Sequence, residues 1–182
     1  AWRNVSFRLR LRKNRAAILS PETLAAYPEM LRKGKFPLPV WLAEGIPAPC
    51  LAGFFHLRIV LPASMDPADY PQALRHELMH ARMGDPVWNL LRCVCCALHW
   101  FNPLVWLAFV LAGRDMEMSC DEAVVKRLGG GIRADYSMSL LRLATGRRMI
   151  SGAPLAFGEG DTKSRVKNVL SWKKPRPWMI LS

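Results

Sequence analysis

The apolar and polar positions change period along the chain, and each change marks an element. In Phe55-His56-Leu57-Arg58-Ile59-Val60-Leu61 the odd positions are apolar and the even ones mix His56 and Arg58 with Val60, the alternation of a half-buried or edge strand. Residues 38–43 and 51–61 are accordingly predicted as strands, the second stopped by Pro62. The rest reads as helix. Ser20-Pro21-Glu22 places a capping Ser before a first-turn proline and predicts a helix to Lys33, closed at Gly34. A helix entering within 66–72 carries Ala73, Leu74, Glu77, Leu78 and Ala81 and stops at Gly84. Asp85-Pro86 starts another at once, and Asn102-Pro103 starts a third that should run to Leu128, with a kink near Gly113, before Gly129-Gly130-Gly131. A further helix is expected over 133–147, and the Gly- and Pro-containing stretch 151–162 as an exposed loop, extendable enough to be a self-cleavage site. The class expected from this pattern is α+β, mostly helical with a small sheet.

One stretch needs separate treatment. Residues 93–113 hold no charged side chain over 21 positions, long enough to span a bilayer. A span, however, would put the candidate chemistry before and after it on opposite sides of a membrane. Asn102-Pro103 falls in its middle, where a cap and a first-turn proline end one helix and begin the next. The expectation is therefore a hairpin over residues 86–112, folded back on itself and set against a membrane leaflet, with Trp88, Trp100, Phe101 and Trp106 as interface aromatics.

Charge narrows the class of partner. The 182 residues carry a formal net charge of +12, which taken alone suggests nucleic acid. All of the excess lies at the two ends. Arg3, Arg8, Arg10, Arg12, Lys13 and Arg15 precede the middle, and Lys163, Arg165, Lys167, Lys173, Lys174 and Arg176 follow it; residues 16–162 hold 14 basic and 14 acidic residues. Basic clusters flanking a neutral domain, next to short apolar ends such as Trp178-Met179-Ile180-Leu181, are expected as juxtamembrane segments at 1–15 and 163–182, the second leading to a transmembrane helix. A nucleic-acid partner is not expected. The cysteines, Cys50, Cys93, Cys95, Cys96 and Cys120, are odd in number and mostly in apolar helical context, which argues for reduced core thiols and a cytoplasmic face.

The chemistry centres on Arg75-His76-Glu77-Leu78-Met79-His80, an H-E-x-x-H sequence. On a helix, positions i and i+4 share a face, so His76 and His80 can hold one zinc ion, with Glu77 beside them as general base. A third ligand must come from elsewhere. The Gly and His of the metzincin pattern are absent, since Met83 and Pro86 stand in their places. Glu117 is the better candidate. With Asp121 it forms an E-x-x-x-D pair on one helical face, where Glu117 can ligate and Asp121 can accept a hydrogen bond from a ligand imidazole. His99 is the rival ligand, and Tyr136 and His99 are the candidates for stabilising an oxyanion.

Taken together, these motifs resemble the BlaR/MecR-type family of bacterial antirepressor membrane metallopeptidases. The resemblance rests on Arg58-Ile59-Val60-Leu61-Pro62, on His76-Glu77-Leu78-Met79-His80 with Asp85, on Trp100-Phe101-Asn102-Pro103-Leu104-Val105-Trp106 and on Glu117-x-x-Cys120-Asp121-Glu122-Ala123-Val124; residues 1–50 match loosely. It implies a zincin-like, gluzincin-type domain over 16–150 on the cytoplasmic side of a cell membrane, held between transmembrane helices. It also implies zinc on His76, His80 and Glu117, Glu77 as general base, and cleavage of the protein itself, a repressor, or both. Beta-lactam sensing is not implied, because no sensor segment is present. The expected substrate-holding edge is 55–61. The alternative from another class is a catalytically silent membrane-associated scaffold that signals by protein binding.

Overall fold

The computed structural model describes residues 17–27, 37–46, 48–128, 131, 133–150 and 158–172. The chain divides into two compact units, Ala1–Val87 and Trp88–Ser182.

The first unit is built on a four-stranded sheet, β1 (Ala17–Ile18), β2 (Val40–Ala43), β3 (Cys50–Ala52) and β4 (Arg58–Pro62), in the order β1-β2-β4-β3. β2 and β4 run parallel, with Val40 opposite Ile59 and Leu42 opposite Leu61; β1 and β3 are antiparallel to their neighbours. The run 51–61, expected as one strand, is two. Gly53 has φ +97°, and a Cβ there would lie 2.2 Å from the carbonyl oxygen of His56, so only glycine permits the reversal that pairs Cys50 with Val60. The alternation at 55–57 therefore belongs to a turn, in which Phe55 is 88% exposed. The strand proper, β4, lies inside the sheet with Ile59, Val60 and Leu61 fully buried. A continuous apolar run of this kind is what a strand buried on both faces requires. The edge predicted at 55–61 is thus corrected: the sheet's edges are β1 and β3.

Ser20 caps α1 (Pro21–Ala25) by accepting from the Thr23 amide at 3.2 Å. The helix is shorter than expected, and 28–36 fall outside the described residues. Asp66 caps a 3-10 turn, Pro67–Asp69, that leads into α2 (Tyr70–Met83), and α2 packs against β3 and β4. Its buried positions are Tyr70, Ala73, Leu74, Glu77 and Leu78, the i, i+3, i+4, i+7, i+8 stripe of an amphipathic helix.

The second unit is helical: the remainder of α3 (Asp85–Leu98), α4 (Pro103–Leu128), α5 (Arg133–Ile150) and α6 (Gly158–Ser171). α3 and α4 form the expected hairpin. Asn102 Oδ1 accepts from the Leu104 amide at 2.9 Å and restarts the helix, Arg92 of α3 donates to the Phe109 carbonyl of α4 at 3.0 Å, and Trp106 Nε1 donates to the Trp100 carbonyl at 2.7 Å. Among the described residues no helix is long and apolar enough to cross a membrane. Cys93 and Cys95 are exposed, a correction to the reading of them as core thiols; Cys96 and Cys120 are buried, and all five are free. Of the loop expected at 151–162, residues 158–162 are the opening of α6 and 151–157 lie outside the described residues. The basic segment expected to begin at 163 is helical as far as Ser171, packed on α4 and α5 with Val169 buried; residues 1–15 and 173–182 lie outside the described residues.

Candidate metal centre

α2 carries His76, Glu77 and His80, and its end shapes the site. Gly84 takes φ +76°, its amide donates to the His80 carbonyl, and the left-handed turn brings Asp85 back toward the motif. Asp85 Oδ2 accepts a hydrogen bond from His80 Nδ1. An ionised carboxylate can only accept, so the proton sits on Nδ1 and His80 Nε2 is left with its lone pair free of hydrogen. That nitrogen faces His76 Nε2 at 2.9 Å, with the two rings perpendicular and 4.5 Å between centroids.

This arrangement passes a test of fit to zinc. Two nitrogens at about 2.0–2.1 Å from one tetrahedral ion stand about 3.3 Å apart. The observed pair would have to open by only a few tenths of an ångström. Imidazole nitrogens backed by a carboxylate are also the donor chemistry zinc takes.

Glu77 is placed differently. It is 6% exposed and lies within the otherwise apolar stripe of α2. A carboxylate held at a position that burial disfavours is a mark of function more than of stability.

The second unit holds Glu117 and Asp121 one turn apart on α4, joined by a residue from α6. Arg165 Nη1 pairs with Glu117 Oε2 at 2.9 Å, and its Nε and Nη2 meet the two oxygens of Asp121 at 2.7 and 2.9 Å. Tyr136 Oη donates to Asp121 Oδ1 at 2.7 Å. Burial opposes the charge on Arg165, but the hydrogen bonds it donates to Asp121 and the charges of Asp121 and Glu117 outweigh it, and its pKa is raised. The guanidinium is therefore fixed in its charged form. Asp121, fully buried, spends both oxygens on Arg165 and Tyr136, whereas the imidazole of His80 finds its acceptor in Asp85. Tyr136, expected as an oxyanion donor, is itself 1% exposed and donates to Asp121; His99 is exposed beside the hairpin turn.

The sequence alone assigns no role in the site to two participants. Asp85 reads as a helix start and stands beside the motif in the family resemblance, and an acid following the Gly that closes a histidine-bearing helix is a usable signal. Arg165 reads as one of the basic flank residues, and nothing local in the sequence marks it. Asp85→Ala should weaken zinc binding about 10–100-fold, because His80 loses the bond that sets its tautomer and ring angle. Asp85→Asn keeps an acceptor oxygen and should lose less; competition with a chromophoric chelator measures both.

The chain is 27% identical over 177 residues to "Regulatory protein BlaR1" of Bacillus licheniformis, covering 92% of this chain and 30% of that protein. It is 29% identical over 144 residues to the "Methicillin resistance mecR1 protein" of Staphylococcus aureus strain Mu50 and to that of Staphylococcus epidermidis, covering 74% of this chain and 25% of each. It thus spans under a third of the length of these curated relatives. The profile described as BlaR1 peptidase M56 matches residues 2–169, which include His76, Glu77, His80, Asp85, Glu117, Asp121 and Arg165. The chain belongs to the BlaR1 peptidase M56 family.

Proposed function

We propose that this chain is the zinc-dependent endopeptidase domain, of zincin-like type, of a membrane-anchored signalling protein. Its substrate is the protein itself, a cytoplasmic repressor-like protein, or both. The observation that carries the reading is the facing pair of His76 and His80 Nε2 atoms, with Asp85 setting the tautomer of His80. His76, His80 and Glu117 are the ligands in this reading. When bound, zinc supplies Lewis-acid polarisation of a carbonyl and brings the pKa of water toward neutrality. Glu77 then takes the proton released and returns it to the leaving amine. Asp121 shares the partner Arg165 with Glu117, and in this reading it also remains the acceptor proposed for a ligand imidazole. A peptide substrate adds to the sheet at an edge, and β3, beside which α2 packs, is the edge nearer the motif helix in this unit.

The test is metal content with a ranking of ligands. The purified chain should hold about one zinc. Glu117→Ala should weaken zinc binding more than His99→Ala does. Cys120→Ser is the necessary companion, since a buried thiol three residues from Glu117 on α4 is a chemically competent rival donor. Zinc affinity that falls with His99→Ala or Cys120→Ser and not with Glu117→Ala assigns the third ligand elsewhere. A chain that binds no zinc favours the silent scaffold.

A further inference from the structure

Three of the five N–H directions of Arg165 point at α4, and they reach two carboxylates one turn apart. The demands of those carboxylates differ. Asp121 is fully buried, and its charge requires a partner. Glu117 has a side chain 35% exposed, so water could solvate it without any help from the protein. A buried guanidinium spent on a carboxylate that does not need it is doing something other than compensating charge. Its planar fork grips Asp121 through two nitrogens and so has a fixed orientation, and that orientation fixes where the third nitrogen holds Glu117. Glu117 is thereby held in one rotamer before any cation arrives. α6, which delivers Arg165, is itself pinned: Val169 is buried, Arg133 Nη1 donates to the Trp172 carbonyl at 2.9 Å, and Trp172 Nε1 donates to Glu122 at 3.3 Å.

We propose that Arg165 is a positioning residue for the metal site, holding Glu117 in its ligating rotamer from a base formed by Asp121 and Tyr136. The proposal rests on the reading of Glu117 as third ligand. It makes α6 part of the site although α6 supplies no ligand. Preorganisation is where the gain lies, since a glutamate already immobilised loses less rotamer freedom on binding a cation than a free one.

The experiment measures zinc affinity and the cobalt-substituted absorption spectrum of the 182-residue chain. Arg165→Lys is the principal variant, because it keeps the charge that Asp121 needs but cannot reach two carboxylates in a plane. It should bind zinc about 10-fold more weakly and alter the cobalt spectrum, with the metal-free melting temperature held close to wild type. Arg165→Gln, which leaves Asp121 uncompensated, should lose about 10–100-fold if it folds. Val169→Ala leaves the fork itself intact; it should lower the melting temperature and weaken zinc binding less than Arg165→Lys does. Wild-type or tighter zinc binding by Arg165→Lys overturns the proposal, and tighter binding would mark Arg165 as a competitor of the metal. In a Glu117→Ala background the Arg165→Lys effect should vanish. If Glu117→Ala alone leaves zinc affinity intact, the third-ligand reading has failed; if Glu117→Ala weakens binding and Arg165→Lys does not, only the positioning role has.

Discussion

Glu77→Ala should abolish peptide cleavage while zinc stays bound and the fold is unharmed. A positioned general base contributes about 10²–10⁴-fold, or roughly 3–5 kcal/mol of transition-state stabilisation, and a loss of that order is expected in kcat/KM. The retention of zinc follows from the ligand assignment: both His76 and His80 keep their nitrogens, and Asp85 still sets His80. Alanine has a higher helix propensity than glutamate, so the substitution should keep α2 helical, and the melting temperature checks that the fold survives. Mass spectrometry of the incubated chain beside the variant gives the readout on self-cleavage. Cuts found in the wild type and missing from Glu77→Ala support the mechanism. Equal cuts in both, or a variant that has lost its zinc, remove Glu77 from the role of base.

His76, Glu77 and His80 were legible in the sequence because one helix carries them and helical spacing alone puts both imidazoles on one face. The Asn102-Pro103 break was legible for the same reason: capping is local chemistry, and the observed bond from Asn102 Oδ1 to the Leu104 amide is the one its sequence predicts. Where the reading failed, the deciding interaction was not local. The alternation at 55–61 is real, but the carbonyl of His56 leaves no room for a side chain at Gly53, and the resulting turn divides the strand. An edge position for β4 was inferred from Arg58, whose guanidinium is in fact placed 4.9 Å from the ring centroid of Trp41 on the neighbouring strand. Arg165 lies 44 residues from Asp121, and a count of basic residues has no means of telling a buried fork from a solvated lysine. The E-x-x-x-D pair did signal that two acids share a face. The missing inference was that a buried Asp121 demands a cation.

The hairpin of α3 and α4 should hold the chain on neutral lipid vesicles without spanning them, and acidic residues at its turn should release it. Its exposed surface is apolar on both helices: Trp88, Leu91 and Leu98 on α3, and Leu104, Trp106 and Leu107 on α4, are each 50% exposed or more, with Trp100 and Phe101 at 69% in the turn between them. Such a patch in water is unfavourable and marks a surface with a partner. Its polar groups favour lipid as that partner. The Asn102 amide donates to the His99 carbonyl, the Val105 amide to the Asn102 carbonyl, and the indole of Trp106 to the Trp100 carbonyl, so the turn satisfies these donors from within, as a hydrocarbon environment demands and water does not. Arg92 turns inward to Asn89 and to the Phe109 carbonyl and ring instead of outward. α3 has 14 residues, about 21 Å of helix, short of the roughly 30 Å of a hydrocarbon core, so the hairpin should enter one leaflet only. Burying one large apolar side chain is worth about 1.5–3 kcal/mol, and replacing two should therefore weaken partitioning on the order of 100-fold or more. Trp100→Glu with Leu104→Glu is the variant to float with phosphatidylcholine vesicles, whose lack of net charge silences the basic ends of the chain. Phe55→Glu, at a still more exposed aromatic outside the hairpin, is the control and should bind as wild type. Undiminished flotation of the hairpin variant would refute the lipid assignment. A wild-type chain that ignores vesicles but self-associates, with the association lost in the variant, would make this face a contact between two copies.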